Sequence, residues 1–199
     1  MRNLLIIVLC LPFLTFSQQH FEDVLAYQND LKQFYVNPDT TPLNTEELKS
    51  FSGIDFFPFS TIYTVKARFK KLEGEKKFKM PSTGKMQQWY KKYAELTFTV
   101  NGKECKLFVY QNLEYSKYKE HEKSLFLPFL DATNGESTYG GGRYLDVEIP
   151  ETDFLLLDFN KAYHPYCAYA AGYSCPIVPQ ENTLNVKIEA GVKLRTDEN

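Results

Sequence analysis

Two spacings of hydrophobic residues divide the chain. From Phe21 onward, apolar side chains recur at the 3.6-residue period of a helix, which predicts one long amphipathic helix that ends before Pro38. A second, short helix is predicted at 45–51, because Asn44 stands at an N-cap position and Glu47 completes a capping box three residues later. The N-terminal part of the chain is therefore predicted to be helical.

Beyond the helical part, apolar and polar residues alternate, as in strands with one buried face. Residues 59–69 place apolar side chains on one face and lysine or arginine on the other. A turn at Glu73 and Gly74 is predicted to return the chain through Phe78 and Met80. These residues would then form a hairpin.

The clearest local signal is the dipeptide Asn101-Gly102, which favours the type I′ turn of a two-residue hairpin. The 16 Phe and 14 Tyr also favour strands, because aromatic rings pack well across pleated faces. The predicted fold is mainly β, with α+β character at the N-terminus: an antiparallel β-barrel or sandwich preceded by one long and one short helix. The further strands are predicted at 125–130, 143–149, 154–159 and 184–190.

The N-terminus has the pattern of a signal peptide. Arg2 supplies a positive end, residues 4–16 are almost wholly apolar, and Thr15 and Ser17 are small residues at the positions that a signal peptidase reads. The apolar run is shorter than the about 20 residues that span a bilayer, and no later segment resembles a membrane span. We therefore predict cleavage near Ser17-Gln18 and export to the periplasm or out of the cell.

The predicted organisation is a signal peptide at 1–17, a helical segment at 18–55 and a β-rich segment at 56–194, the last two forming one compact domain. The formal net charge of −2 gives no sign of the strongly basic surface typical of nucleic-acid-binding proteins, and an exported protein would not meet nucleic acid in the cytoplasm. No nucleic-acid partner is predicted. The oligomeric state is left open.

One part of the chain is nevertheless basic. Between Lys66 and Lys92 ten lysine or arginine residues stand against only two glutamates. Lysines on an edge hairpin commonly prevent edge-to-edge aggregation. The alternative is a contact surface for an anionic partner in the cell envelope.

The segment 138–146, TYGGGRYLD, is hard to explain by local stability, since glycine loses more backbone freedom on folding than any other residue. It is not a nucleotide-binding loop, because those loops open into a helix and this one opens into a predicted strand. The glycine N–H groups are still able to form an anion-binding nest.

Arg143 shares its strand face with Leu145 and Val147, so alternation points the guanidinium inward. A buried guanidinium needs an anion. Two kinds of anion remain open: an internal carboxylate, Asp131 or Asp158, or the carboxylate or phosphate of a ligand bound in bidentate fashion.

The ligand site predicted from this reasoning is a pocket around Arg143 for a small anionic or carbonyl-bearing molecule. Its candidate residues are Arg143, Tyr139, Gly140, Gly141, Gly142, Asp131, Thr138, Asp158, Asn160 and Tyr163.

Residues 158–182 are rich in tyrosine and proline and contain two cysteines, as in an ordered loop packed by its own rings. In an exported protein Cys167 and Cys175 are candidates for a disulfide. Two alternatives are a zinc site that includes His164 and a Cys167 nucleophile activated by His164, although the spacing matches no zinc motif. No metal site is predicted, and the cofactor is left open. Cys105 is predicted to be an inert thiol on the core face.

The blocks FLPFLDATNGESTYGGGRYLDVEIP and LDFNKAYHPYCAYAAGYSCPIVPQEN, with FFPF at 56–59, resemble an uncharacterised bacterial and archaeal family of about 200 residues, classed as a domain of unknown function. The resemblance covers nearly all of the chain after the signal peptide and implies no activity. The family motif tends to read NPYCAY, so His164 stands where asparagine is usual, which makes it a poor candidate for an essential base or metal ligand. Some members lack export signals.

Three functions follow as hypotheses. The preferred one is a binding protein that holds a small anionic or carbonyl ligand around Arg143. The second is an enzyme, a hydrolase or a flavin-type oxidoreductase, that uses the same pocket with Asp131, Asp158 or Glu181 for proton transfer. The third is an envelope interaction protein that uses the basic hairpin at 66–92.

Overall fold

The computed structural model describes residues 11–195, with side chains from Gln18 onward. Most of the predicted signal peptide lies outside the described residues, so its cleavage stays a prediction. The first helix begins at Leu11 and continues past Gln18. No helix among the described residues has both the length and the hydropathy needed to cross a membrane.

Both predicted helices are present. Helix α1 spans Leu11–Val36 and α2 spans Thr45–Ser50. The capping box of α2 is confirmed, because the side chain of Asn44 accepts hydrogen bonds from the N–H groups of Glu46 and Glu47, and the Glu47 carboxylate accepts one from Asn44 N–H.

The predicted mainly antiparallel β fold is confirmed as a curled half-barrel. A seven-stranded sheet has the order β7-β6-β5-β4-β2-β8, with β3 paired to β4, and a separate small sheet joins β1 to β9. The strands are β1 Asp55–Phe56, β2 Thr64–Lys71, β3 Lys77–Lys79, β4 Trp89–Val100, β5 Lys103–Asn112, β6 Ser124–Phe129, β7 Arg143–Glu148, β8 Phe154–Asp158 and β9 Val192–Lys193.

The chain itself joins the two outer strands of the curled sheet. After β8 it makes a 3₁₀ turn at Phe159–Lys161, and Tyr163 then exchanges two backbone hydrogen bonds with Tyr144 of β7, at 2.8 and 3.0 Å. We call this pairing of Tyr144 and Tyr163 the seam. It places the start of the long loop at 163–176 against β7.

The core fills the inside of the curl with the alternating apolar side chains that the sequence places there. Leu96, Leu107, Leu127 and Leu157, from four different strands, are fully buried. Burial of this apolar surface is the main stabilising term of the fold.

The hairpin at Asn101-Gly102 is confirmed. It joins β4 to β5, and both turn residues have positive φ, 51° for Asn101 and 72° for Gly102. Asparagine and glycine are the residues that tolerate this left-handed backbone best.

The strand predicted from residue 59 begins later, at Thr64. Residues Thr61–Tyr63 form a 3₁₀ turn instead, because the Ser60 hydroxyl accepts a hydrogen bond from Ile62 N–H. The Asn160 side chain bonds both the N–H and the carbonyl of Ser60, which withdraws that residue from the sheet.

The predicted return of the chain at Glu73 and Gly74 is wrong. Lys71 pairs with Ala94 and Lys77 pairs with Lys91, so β2 and β3 run in the same direction along one side of β4. The residues between them bulge outward. Leu72 N–H donates to Tyr93 O, which holds the chain against β4 up to the bulge.

The strand predicted at 184–190 is also wrong, although its burial does alternate. This segment is extended but has no continuous strand partner. Its main-chain groups bond to single positions instead: Leu184 N–H donates to Leu130 O, and the carbonyls of Ile188 and Ala190 accept from the Arg143 guanidinium.

Candidate functional site

Arg143 points inward, as predicted, and its partner is an internal carboxylate. Nη2 lies 2.7 Å from Asp131 Oδ2, and both side chains are completely buried. The guanidinium also donates to the carbonyls of Ile188, Ala190 and Val192. Asp131 in turn accepts from Ile188 N–H. Burial lowers the pKa of Arg143 and the charge of Asp131 opposes that effect.

Of the three consecutive glycines, Gly142 alone combines a positive φ with a close approach to main chain. Gly142 has φ +93°, and a Cβ added there would lie 2.6 Å from Val178 Cγ2 and 2.8 Å from Phe129 O. Gly140 is exposed, and an added Cβ there would meet nothing closer than 4.0 Å. Gly141 is exposed as well, but an added Cβ there would lie 2.4 Å from Cε1 of the Tyr139 ring, which would have to move. Gly142 N–H donates to Tyr139 O, closing the tight turn that delivers Arg143 to the core.

Thr138 and Tyr139 help to hold this turn. The Thr138 hydroxyl is 2.8 Å from that of Thr133, and both are fully buried. Tyr139 N–H donates to His164 Nε2 at 3.1 Å. Since Nε2 accepts, the proton is on Nδ1, which donates to the Tyr169 hydroxyl.

His164 is therefore a neutral, structural residue. Burial and the nearby charge of Arg143 lower its pKa to about 3. Both ring nitrogens are engaged in hydrogen bonds, which explains its position without catalysis or metal binding.

Asp158 and Asn160 lie in a different place, where α1 meets the ends of β2 and β8. Asp158 accepts from the hydroxyl of Thr64 at 3.1 Å and lies 2.9 Å from His20 Nε2. Asn160 is buried and holds Ser60. These two candidates are not next to Arg143.

The predicted disulfide between Cys167 and Cys175 is present. Cys105 is the free cysteine among the described residues, and it is partly exposed rather than fully buried. Burial still raises the pKa of its thiol, which keeps it in the less reactive protonated form.

The basic residues at 66–92 do not form one hairpin, since β2 lies between β4 and β8 inside the sheet and only β3 and the start of β4 pair with each other as a hairpin. Their ammonium groups lie over exposed aromatic rings: Lys66 Nζ is 4.1 Å from the ring centre of Phe154, and Lys77 Nζ is 5.3 Å from that of Trp89. The basic side chains are thus divided between the two faces of the sheet, because Lys66 faces away from the core, whereas Lys77 points to the side opposite Phe78 and the cavity.

A cavity of about 760 Å³ lies on the side of β6 and β7 that faces away from the core. The strand pleat explains its floor. Because Arg143 and Leu145 face the core, Tyr144, Asp146 and Glu148 face the cavity. Of the ten predicted ligand-site residues, all within the described part of the chain, Tyr163 alone lines it.

The loop at 163–176 forms one wall of this cavity. The disulfide closes the loop, Thr83 N–H donates to Cys175 O, and the Tyr144 hydroxyl donates to Pro176 O. The wall is therefore attached to the floor at both ends, through the seam at Tyr163 and through Pro176.

Four aromatic rings, each in contact with the next, line the cavity. The ring centres of Tyr90 and Phe126 are 5.8 Å apart, those of Phe126 and Tyr144 are 4.8 Å apart, and those of Tyr144 and Tyr163 are 5.9 Å apart. Phe126 is also the strand partner of Asp146. The rings thus adjoin one carboxylate.

Asp146 and Tyr163 form the polar centre of the cavity. The Tyr163 hydroxyl donates to Asp146 Oδ2 at 2.8 Å. Asp146 is exposed to solvent from the cavity, although the surrounding strands and rings partly bury its carboxylate. This burial raises the pKa of Asp146, and the hydrogen bond from Tyr163 opposes it. The pKa of Tyr163 is raised well above its usual value by burial and by the charge of Asp146.

Asp146 was missing from the residues predicted as a site, although the signal was available. The alternation that points Arg143 inward also places Tyr144, Asp146 and Glu148 together on the opposite face. The walls had no comparable signal, because Gln88 and Asn112 join the cavity only through the packing of distant segments.

The comparisons with known proteins agree with the resemblance seen in the sequence. The family model described as "Protein of unknown function (DUF1684)" matches residues 49–193. The solution NMR structure of an uncharacterized protein from Haloarcula marismortui is similar, with a TM-score of 0.71 and 28% identity over 92% of this chain and 98% of that chain. A comparison with curated proteins gives no significant match. The chain therefore belongs to the family of proteins of unknown function DUF1684.

Proposed function

We propose that the protein binds a small organic molecule in the cavity above β6 and β7, with Asp146 and Tyr163 as the polar anchor. The observation that carries this proposal is an exposed carboxylate, held by a tyrosine hydroxyl, on the floor of a cavity of about 760 Å³ lined mainly by apolar and aromatic side chains. Ligand sites have this composition, with few polar groups that fix orientation. A titratable group with a perturbed pKa in a cleft is a further indication.

Binding is favoured over catalysis by the other reactive side chains of the lining. His164 uses both ring nitrogens in structural hydrogen bonds, and Cys175 is in the disulfide. An enzyme in this cavity would therefore depend on Asp146, Glu148 or His121 for proton transfer, and among the described residues no side-chain hydrogen bond joins these three. The observations favour the binding protein.

The proposal keeps the binding function first expected around Arg143 and moves the ligand to the other face of the same strand. Arg143 has Asp131 and three carbonyls as partners and has no exposed surface. Its role in the proposal is to fix β7, which carries Asp146 on the opposite side.

Titration of the isotope-labelled protein with a library of small aromatic fragments, followed by amide NMR shifts, tests the proposal. We expect shifts clustered on β6, β7 and the loop at 163–176. The variant Ser124→Trp fills the cavity from β6 and should abolish them, whereas Thr99→Trp, on the exposed face of β4, should not. A library without a hit in the cavity, or unchanged binding by Ser124→Trp, contradicts the proposal.

We also propose that the protein is exported, which the disulfide supports because such bonds persist mainly in oxidising compartments. N-terminal sequencing of the protein purified from its native host tests this. A mature chain that begins at Gln18 is expected, and a chain that retains residues 1–17 contradicts it.

A further inference from the structure

We propose that the cavity ligand is an organic cation, an amine whose ammonium group pairs with Asp146 and lies against the four aromatic rings. This inference rests on the proposed binding function, and it specifies the charge of the ligand.

The first observation is the charge of the lining. Asp146 and Glu148 contribute two carboxylates, and no lysine or arginine is among the lining residues that the structure describes. His164 is held neutral. The lining also includes His121. Asp146 and Glu148 would repel an anion entering the cavity, whereas they would attract a cation. This reverses the sign of the ligand expected from Arg143.

The second observation is the row of rings formed by Tyr90, Phe126, Tyr144 and Tyr163. Aromatic faces carry a negative quadrupole, so they attract cations, and cages of such rings recognise organic ammonium groups. The T-shaped contacts of Phe126 with Tyr144 and of Tyr144 with Tyr163 turn neighbouring rings in different directions, so that one group can contact more than one ring.

The third observation is the state of the Asp146 carboxylate. Tyr163 occupies Oδ2, and no side chain or backbone donor within residues 18–195 is bonded to Oδ1. An ammonium N–H can donate to this oxygen while its apolar body contacts the rings. Among residues 18–195 no cationic side chain forms a salt bridge with Asp146, so the ammonium group of the ligand would supply the countercharge.

A metal ion fits these residues less well. Among the described residues, no group of three or more histidine, cysteine, aspartate or glutamate side chains is placed to hold one. Two carboxylates among aromatic rings instead suit a cation with an apolar body.

Three probes of similar size and different charge test the inference at pH 7: 2-phenylethylamine, 2-phenylethanol and phenylacetate. Their affinities are measured by amide NMR titration of the full folded chain. We expect the amine to bind at least tenfold more tightly than the alcohol, and phenylacetate to bind most weakly.

The variant Asp146→Asn should remove the preference for the amine while keeping the affinity for the alcohol, because asparagine still accepts from Tyr163. Glu104→Gln, an exposed change on β5, is the matched control and should leave the preference intact. The melting temperature of each variant confirms that it is folded.

Each possible result of these titrations either supports or contradicts the cationic ligand. If the alcohol or phenylacetate binds in the cavity as tightly as the amine, the proposal of a cationic ligand is wrong, and the proposed binding function is supported. If the amine keeps its preference in Asp146→Asn, the assigned anchor is wrong. If other fragments shift the cavity amides and none of the three probes does, the proposal of an amine ligand is wrong. If no fragment binds in the cavity either, the proposed binding function is wrong as well.

Discussion

At the scale of single residues, Gly142 differs from its neighbours because only its position combines a left-handed backbone with a close approach to main chain. Gly142→Ala is expected to destabilise the protein by more than about 2 kcal/mol, since the left-handed conformation alone costs roughly 1–2 kcal/mol for other residues. Gly140→Ala should be neutral or slightly stabilising. Urea denaturation measures both, and equal losses would contradict the assignment.

The buried pair of Arg143 and Asp131 gives a second prediction. Arg143→Met leaves Asp131 charged and the carbonyls of Ile188 and Ala190 without donors, so a loss of about 3–5 kcal/mol is expected. The exposed Arg68→Met should change stability by less than about 0.5 kcal/mol.

The double variant Arg143→Met with Asp131→Asn separates the ion pair from the bonds to carbonyls. It should be more stable than the sum of the single losses predicts, because it leaves no unpaired buried charge. Strictly additive losses would show that the two side chains do not act as a pair.

Sequence reasoning reached the direction of Arg143 but not its partners. Alternation along one strand fixes the face on which a side chain lies. The choice between Asp131, Asp158 and a ligand depended on how residues far apart in sequence pack, and local pattern carries no such information. The same limit hid the site at Asp146.

At the scale of elements, the disulfide loop gives the third prediction. The bond closes a loop of eight residues in separation, so replacing both Cys167 and Cys175 by serine should cost about 2.5 kcal/mol. Fragment affinity should fall too, because the loop is a cavity wall.

Cys105→Ser is the control for that loss, since this thiol is free and partly exposed. Thermal or urea unfolding under non-reducing conditions measures the difference. A double serine variant as stable as the natural chain would show that the loop is held by its rings and hydrogen bonds alone.

Elements defined by a local signal were predicted well, and elements defined by pairing were not. The capping box of α2 and the Asn101-Gly102 turn each lie within a few residues of chain. The relation of β2 to β3 depends on β4, which follows them in sequence. For that reason a bulge was mistaken for a reversal.

At the scale of the whole molecule, the free energy of unfolding should depend on pH through the protonation of His164. Its pKa is about 3 in the folded protein and about 6.5 when unfolded, so the unfolded chain takes up the proton first as the pH falls. The stabilising effect is complete above pH 6.5 and is lost as the pH falls towards 3, at about 1.4 kcal/mol per pH unit.

His164→Gln isolates this effect, because glutamine keeps a hydrogen-bond acceptor and does not titrate. Between pH 7.5 and 4.5 the natural protein should lose roughly 2–3 kcal/mol more than the variant. Free energies of unfolding from urea titrations at both pH values give the comparison. Parallel losses in the two proteins would mean that His164 is protonated in the folded state.

The fold class was accessible from the sequence, since helical spacing followed by alternation specifies helices followed by an antiparallel sheet. The curl of that sheet and its seam were not, because the pairing of Tyr163 with Tyr144 depends on how all the strands between β7 and β8 are arranged. The cavity depends on that closure. The boundaries of the predicted compact domain remain a prediction.

Arg143 contacts main-chain oxygens of the segment at 188–192, and this makes the contact insensitive to which side chains the segment carries. Replacing Ile188 or Val192 would change apolar packing and leave the acceptors of the guanidinium in place. The chain can thus vary its C-terminal segment in sequence while the arginine keeps holding it, provided that Gly142 still delivers the arginine to the core.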